Sequence, residues 1–309
     1  MAYIGLTTSI WNNRLKLLYL ISLLPLLVTL SIVFYLLILY GGFNKEFQTD
    51  FFIITGTLIP ILILWLIIGI YFQKSIIFSF TGARAITRKE EPEIYNLVEN
   101  LCISRGILTP NIGIIEDKGM NAFATGWSKK DSWVVFSRGL LERLEKDEIE
   151  AVAAHELTHI LNEDVKQMVI INVFIGAIGT IGYILMRTGM GGSRGGKGGG
   201  KNPLPILGLI LYLVSIVILP LINLAISRRK EYLADAGAVQ LTKNNDAMIR
   251  ALQKISTTPR IKSVEEKGRN IASMFIFNPR PDQRHFISFR SLLSTHPSIE
   301  SRIEALRRY

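Results

Sequence analysis

Four stretches of the chain are almost unbroken in apolar residues: Leu15 to Tyr40, Phe51 to Phe72, Met168 to Met186 and Leu204 to Ile226. Each approaches the ~20 residues that a helix needs to cross bilayer hydrocarbon, which predicts about four transmembrane helices in two hairpins. The first run begins beside Arg14 and Lys16, is too long for a signal-peptide core and lacks a small-residue cleavage site, so it reads as an uncleaved anchor. Only the link Gly41 to Asp50 separates the first two runs, so the N-terminus and Gln73 are expected on one side of the membrane.

From Gln73 to Val165 the pattern is that of a soluble α+β portion. Ile94, Leu97, Val98 and Leu101 have helical spacing and predict a helix over Glu90 to Arg105. Asn111 to Ile115 and Trp133 to Phe136 read as short strands, bounded by Pro110, Gly119 and Gly126. Asp147 is expected to cap a helix that passes through Glu150, Ala154 and Asn162 directly into the third apolar run. Gly189 to Gly200 holds eight glycines and reads as a flexible tether. It is no phosphate loop, since no strand precedes it and no helix-opening Gly-Lys-Ser/Thr follows. Ser227 to Gln240 reads as a helix, and Asn244 to Tyr309 as helices broken by Pro259, Pro279, Pro281 and Pro297. The predicted fold is mainly α with a small β-sheet, in four segments: residues 1–76, an N-terminal transmembrane hairpin; 77–167, a soluble part; 168–226, a second hairpin with the Gly-rich link; and 227–309, a second soluble part.

Composition agrees: of 309 residues 49% are apolar and 19% charged, with a mean hydropathy of +0.32. These values exclude disorder and favour an integral membrane protein. From Arg228 to Tyr309 there are 16 basic and 8 acidic residues, so this portion carries +8 of the chain's +10. In so apolar a chain the partner expected for that charge is the lipid bilayer at its anionic cytoplasmic face, and no nucleic acid. The lone Cys102 can form no internal disulfide and reads as a small buried hydrophobe, consistent with a reducing compartment.

The chemistry is concentrated in one helix, where His155, Glu156, Leu157, Thr158 and His159 spell HExxH. At ~100° per residue the two histidines lie only ~40° apart, so both imidazoles reach one ion, with Glu156 beside them. Ile149, Ala153, Leu157 and Ile160 supply an adjacent apolar stripe to bury. A catalytic zinc wants three protein ligands and one open position, and two histidines with a glutamate form an established set. Glu231 is the candidate third ligand: a hairpin of the third and fourth runs brings it to the membrane face where His159 lies. Asp235, four residues on, would then orient a ligand histidine. Read by spacing alone, Lys230, Glu231 and Asp235 are equally the solvated charges of a surface helix.

Several blocks now point to a known family. Met120 to Gly126 resembles the NAFATG segment of the HtpX-type membrane zinc endopeptidases, relatives of the CAAX prenyl proteases. Ala153 to His159 resembles that family's AHELxH helix, Ser227 to Asp235 its SRxxEYxAD block, and Ser294 to Ile303 its STHPxxxxRI ending. The resemblance covers nearly the whole chain in the right order, and the count of apolar runs favours the HtpX branch over the CAAX proteases. It implies a zincin-like (gluzincin) catalytic portion facing the cytoplasm from the plasma or inner membrane. One Zn2+ per chain would sit on His155, His159 and Glu231, with Glu156 as general base. It also implies His296 or Asn121 as donor to the developing oxyanion, although a histidine before proline is by itself commonly a turn residue. Ala122, Phe123 and Ala124 would offer a strand edge to an extended substrate, against the plainer reading of an edge strand with a turn at Gly126. Expected substrates are membrane proteins and unfolded polypeptides, in quality control and stress response. The Gly-rich link, with Arg187, Arg194, Lys197 and Lys201, departs from the positive-inside rule, so the second hairpin is alternatively a re-entrant pair.

Two other classes compete. A catalytically silent membrane scaffold, binding partners through its basic portion, has no need of the intact Glu156. A transporter is disfavoured because no apolar run carries a charge near its centre.

Overall fold

Long apolar stretches hydrogen-bond within themselves, because hydrocarbon offers backbone N–H and C=O groups no other partner. In the computed structural model, which describes residues 6–191, 204–258 and 297–308, the first three stretches lie in helices longer than the runs themselves, and the fourth is divided among two α-helices and a π turn. Helices α1 (Leu6–Tyr40) and α2 (Lys45–Thr81) are separated by a turn at Gly41, whose φ of +69° suits glycine. Among the described residues two helices are long and apolar enough to cross a bilayer, Lys45–Thr81 and Asp164–Arg187, and Pro25–Tyr40 and Leu204–Ile218 are shorter apolar helices. The four expected spans thus stand as two long helices and two shorter ones. Only 6% of the apolar window of α2 is buried, the opposite of a soluble core helix.

The described residues fall into two compact units. One is helical and apolar and comprises Arg14–Tyr71 and Val169–Ile222. Within it α6 (Asp164–Gly191) and α7 (Leu204–Leu213) approach to backbone contact at two glycines. A Cβ on Gly182 would stand 2.6 Å from the Tyr212 nitrogen, and one on Gly208 would overlap the Met186 nitrogen. Helices in lipid associate through such small-residue seams, because no hydrophobic effect drives them together. After α7 comes a π turn, Val214–Ile218, in which the Leu219 N–H bonds the Val214 carbonyl. It precedes Pro220, which has no N–H to continue the α ladder, and α8 (Leu219–Thr242) resumes there.

The other unit takes in Phe72–Met168 and the described residues from Asn223 on. Its sheet has four strands in the order β1-β2-β4-β3: β1 (Arg84–Ala85), β2 (Asn111–Ile115), β3 (Ala122–Thr125) and β4 (Trp133–Ser137). Strands β2 and β4 run parallel, with Ile112 opposite Val134, and β3 runs antiparallel to β4, with Ala124 opposite Val134. Strand β3 is therefore an edge. Its Phe123 packs with Ile77, Ile115, Trp133 and Val135, so the predicted strands are buried. Helix α3 (Pro92–Ser104) buries Ile94, Leu97, Val98 and Leu101, the four positions read from the sequence. Helices α4 (Arg138–Arg143), α5 (Lys146–Leu161), α9 (Asn245–Thr257) and α10 (Ile299–Arg307) complete the unit.

Three expectations are corrected. Helix α5 is capped by Glu145, whose backbone N–H bonds Glu148 Oε2 at 2.8 Å; Asp147 instead pairs with Arg250 on α9. Nor does α5 run into the third apolar run: it ends at Asn162, Glu163 turns at φ +59°, and α6 starts afresh at Asp164. The tether begins later than expected, since α6 is helical through Gly191, and residues 192–200 lie outside the described residues.

Overpacking the seam should destabilise the apolar unit. Gly182→Leu is expected to cost about 1–3 kcal/mol in thermal unfolding in detergent. Gly176→Leu, where a Cβ meets nothing within 4 Å, is expected to leave the transition within about 0.5 kcal/mol of wild type.

Candidate metal centre

The site begins with how α5 is held. Glu148, wholly buried, accepts from Lys254 Nζ at 2.7 Å as well as from the Glu145 backbone, so α9 clamps the start of the helix. Further along, Ala151, Ala153 and Ala154 are fully buried and small enough for neighbours to close in on every side. The sequence suggests one buried face and one ligand-bearing face; in the structure both faces are enclosed, and Ile149 is only half-buried. His155 and Glu156 therefore sit in the interior, at 0% and 2% exposure.

Helix α8 comes to α5 through another small-residue seam. Ala234 and Ala238 are fully buried, and a Cβ on Gly237 would overlap the side chain of Thr158. Glu231 and Asp235 share that face at helical spacing, and both are buried, at 5% and 2% exposure. The surface-helix reading of these charges is thereby overturned.

The result is a convergence of three donor atoms. His155 Nε2 lies 3.2 Å from His159 Nε2 and 3.6 Å from Glu231 Oε2, and His159 Nε2 lies 3.8 Å from Glu231 Oε1. A metal about 2.1 Å from tetrahedral ligands sets them about 3.4 Å apart, so the three atoms are spaced to share one ion. Behind each imidazole stands a carboxylate: Asp235 Oδ1 is 3.0 Å from His155 Nδ1, and Asp164 Oδ2 is 3.1 Å from His159 Nδ1. A carboxylate at Nδ1 holds the proton there and leaves the lone pair on Nε2. Two such lone pairs 3.2 Å apart repel unless a cation lies between them. The donor set thus fits zinc.

A cation in turn anchors each carboxylate. Arg302 on α10, 1% exposed, donates from Nε to Asp235 Oδ2 at 2.8 Å and from Nη2 to Oδ1 at 2.6 Å, and its Nη1 is 3.0 Å from Glu231 Oε2. Burial alone would push the Asp235 carboxyl up, but Arg302 and His155 more than offset it and hold it below its ordinary range. Lys230 Nζ lies 3.4 Å from Asp164 Oδ1, bringing a second buried cation to the partner of His159.

Glu156 lies between this cluster and the sheet. Burial pushes its carboxyl up to about 7, with Glu231 adding to the effect, while His159, when it is protonated in the metal-free site, Arg302 and a hydrogen bond from the Ala124 N–H act against it. The β3 ladder explains that hydrogen bond. Ser137 N–H bonds the Asn121 carbonyl at 2.9 Å, so alternation puts Ala122 and Ala124 in pairs whose backbone groups face away from β4. Asn121, at the entrance to the strand, accepts the Ala122 N–H on its Oδ1 at 3.1 Å. His296 lies outside the described residues.

Sequence reasoning named Asp235, took Lys230 only as a solvated charge and missed Asp164; Arg302 entered only as part of a motif. Asp164 had a signal, an acid at the mouth of an apolar run five residues after His159. Reading α5 as continuous with that run hid the turn that brings Asp164 back to His159.

Comparison with known proteins agrees with this geometry. The family model described as Peptidase family M48 matches residues 88–309. A protein named Protease HtpX homolog from Bacteroides fragilis is 40% identical over 326 aligned residues, covering 100% of both chains. A protein of the same name from Streptococcus pyogenes is 38% identical over 260 residues, covering 80% of this chain and 85% of its own. Among solved structures, the crystal structure of S. mikatae Ste24p is similar at a TM-score of 0.52 and 20% identity, over 98% of this chain and 66% of that one. At that identity the likeness concerns the fold.

Removing the groups behind the imidazoles should loosen the metal without removing a ligand. Asp164→Asn and Asp235→Asn are each expected to lower zinc affinity about 10–100-fold in a chelator competition. Gly237→Val, which forces α8 away from Thr158, should lower bound zinc and the unfolding temperature together, as read by metal analysis and thermal melts.

Proposed function

This chain belongs to Peptidase family M48 and is a membrane zinc metalloprotease, and from that premise we propose that one zinc on His155, His159 and Glu231 serves the cleavage of misfolded or damaged membrane proteins and their unfolded loops. The observation that carries this reading is the meeting of the three ligand atoms with a carboxylate that is not one of them, Glu156, whose other neighbour is the edge strand β3.

Zinc bound there supplies Lewis acidity, making water more acidic and polarising a carbonyl. Glu156 takes the proton from the attacking water as its oxygen bonds to the scissile carbon. As the C–N bond breaks, the same carboxyl delivers that proton to the leaving amine nitrogen. A buried carboxyl whose affinity for protons is raised toward neutrality suits both halves of this exchange. Arg302 and Asp235 fix the orientation of Glu231 and His155, and Lys230 and Asp164 that of His159. His296 or Asn121 is proposed to donate to the oxyanion, as the family resemblance implies. The edge of β3, with Ala122, Phe123 and Ala124, is proposed to pair with the substrate backbone, which makes recognition tolerant of sequence.

The chain's connectivity supports substrates drawn from the membrane. His159 is followed within a few residues by apolar α6, and Glu231 lies on α8, which continues from apolar α7 and the π turn. The cytoplasmic side is supported by the basic surplus of the C-terminal portion and by Arg14 and Lys16 before the first apolar run. A bound partner of this kind fits quality control and the stress response better than a scaffold, for which a raised-pKa carboxyl beside a metal site has no use.

Glu156→Gln in detergent-purified protein is expected to keep its zinc and to lose casein cleavage by about 10²–10⁴-fold. Chelation should abolish cleavage by the wild type and zinc refilling should restore it. Equal cleavage by the wild type and Glu156→Gln would overturn the mechanism.

A further inference from the structure

Two helices among the described residues are long and apolar enough to cross a bilayer, α2 and α6, and each carries a lysine just outside its apolar run. Lys74 comes two residues after Phe72, where the second run ends, and Lys166 two residues before Met168, where the third begins. At 1.5 Å per residue each stands about 3 Å beyond the run, within the roughly 5–7 Å of headgroups that flank the hydrocarbon. Both lysines lie against tryptophans of one short segment. Lys74 Nζ is 4.1 Å from the centre of the Trp133 ring, and Lys166 Nζ is 6.0 Å from that of Trp127. Trp127 and Trp133 bracket the connection from β3 to β4. That connection turns at Gly126, where φ is +128° and a Cβ would overlap the Asp131 carbonyl, and it is closed by Ser128 Oγ accepting the Asp131 N–H at 3.1 Å. Its outer residues Lys129 and Lys130 are exposed and Trp127 is half-buried. Further along α2, Ile76 and Phe80 are exposed as well, apolar surface that water would cover only at a cost.

We propose that the β3–β4 turn docks on the bilayer surface, with Lys129 and Lys130 on the phosphates of anionic lipid and Trp127 at the boundary of the hydrocarbon, and that this contact speeds the cleavage of membrane-borne substrates. The inference rests on the membrane-protease reading above and adds a lipid ligand to it. Tryptophan settles at this level because one end of its ring is apolar and the other polar. The charge is complementary: Lys74, Lys129 and Lys130 face a single carboxylate in the turn, Asp131, and none of the three lysines forms an ion pair among the described residues, whereas Lys166 is answered by Glu163 at 3.4 Å. Each lysine close to an anionic surface strengthens association about fivefold. The link to catalysis is short. Ala124, whose N–H reaches Glu156, precedes Trp127 by three residues, so a lipid that fixes the turn also fixes the strand beside the general base.

The test uses the zinc-loaded full chain in nanodiscs of phosphatidylcholine, alone or with about 30% phosphatidylglycerol as the anionic probe. Depth is read first, from a nitroxide on Lys130→Cys in a Cys102→Ala background. In the anionic discs it is expected to be relaxed more by nickel chelated on lipid headgroups than by soluble nickel, and a nitroxide on Lys146→Cys, at the opposite end of α5, to show the reverse. Cleavage is then followed on a single-span fusion that carries a casein segment beside its span. Phosphatidylglycerol is expected to raise kcat/KM about fivefold or more, and Lys129→Gln combined with Lys130→Gln to bring that ratio close to one with zinc content unchanged. Soluble casein should be cut equally in both lipids. A nitroxide at position 130 relaxed mainly by soluble nickel, equal rates on the fusion in the two lipids, a ratio that survives the double variant, or a ratio that soluble casein shares would each overturn the proposal. Absence of zinc-dependent cleavage in every disc overturns the peptidase reading itself, whereas zinc-dependent cleavage that is indifferent to lipid charge overturns this inference alone.

Discussion

Two imidazole nitrogens face each other at 3.2 Å inside the protein, each with a carboxylate on the far side of its ring. That arrangement is repulsive by itself and becomes favourable around a divalent cation, so much of the sheet-bearing unit can be understood as what holds it in place. Burial alone would push the Asp235 carboxyl up, and Arg302 and His155 hold it below its ordinary range. Lys230, from a different helix, brings its ammonium to 3.4 Å from Asp164. The C-terminal helix, far from the HExxH motif in sequence, is for that reason part of the metal centre.

Such a cluster forms only if helix backbones come close, and the chain secures this with small residues. Gly237 on α8 lies against Thr158 on α5, and Ala234 and Ala238 beside it on α8 are fully buried. Larger side chains there would hold Glu231 too far from His155 and His159 to share an ion. The same device recurs in the apolar unit, where Gly182 and Gly208 bring α6 and α7 to backbone contact. In lipid it provides the attraction by dispersion that burial from water provides elsewhere. Between the two uses lies the π turn before Pro220, which lets one apolar helix lead into the polar ligand-bearing segment despite the missing N–H.

The sheet contributes orientation more than mass. Because β3 is an edge, half of its backbone groups face away from β4, and the N–H of Ala124 meets Glu156. Glu156 thus neighbours both the candidate metal ligands and the edge strand.

The sequence by itself determined the elements and the chemistry that depend on local pattern. The spacing of Ile94, Leu97, Val98 and Leu101 defined α3, strand boundaries at Asn111 and Trp133 were legible, and HExxH put two imidazoles on one helical face. These are periodicities, and periodicity is a property of neighbouring residues. It could not see that α5 stops at Asn162, because a single left-handed residue, Glu163, outweighs an otherwise continuous helical pattern. Nor could it decide between solvated charge and metal ligand at Glu231, name Asp164, or give Arg302 a role, because each depends on which helices meet. Burial decided those questions: in the interior a charge persists only with its partners around it, and the partners here come from α5, α6, α8 and α10, which only the tertiary structure brings together.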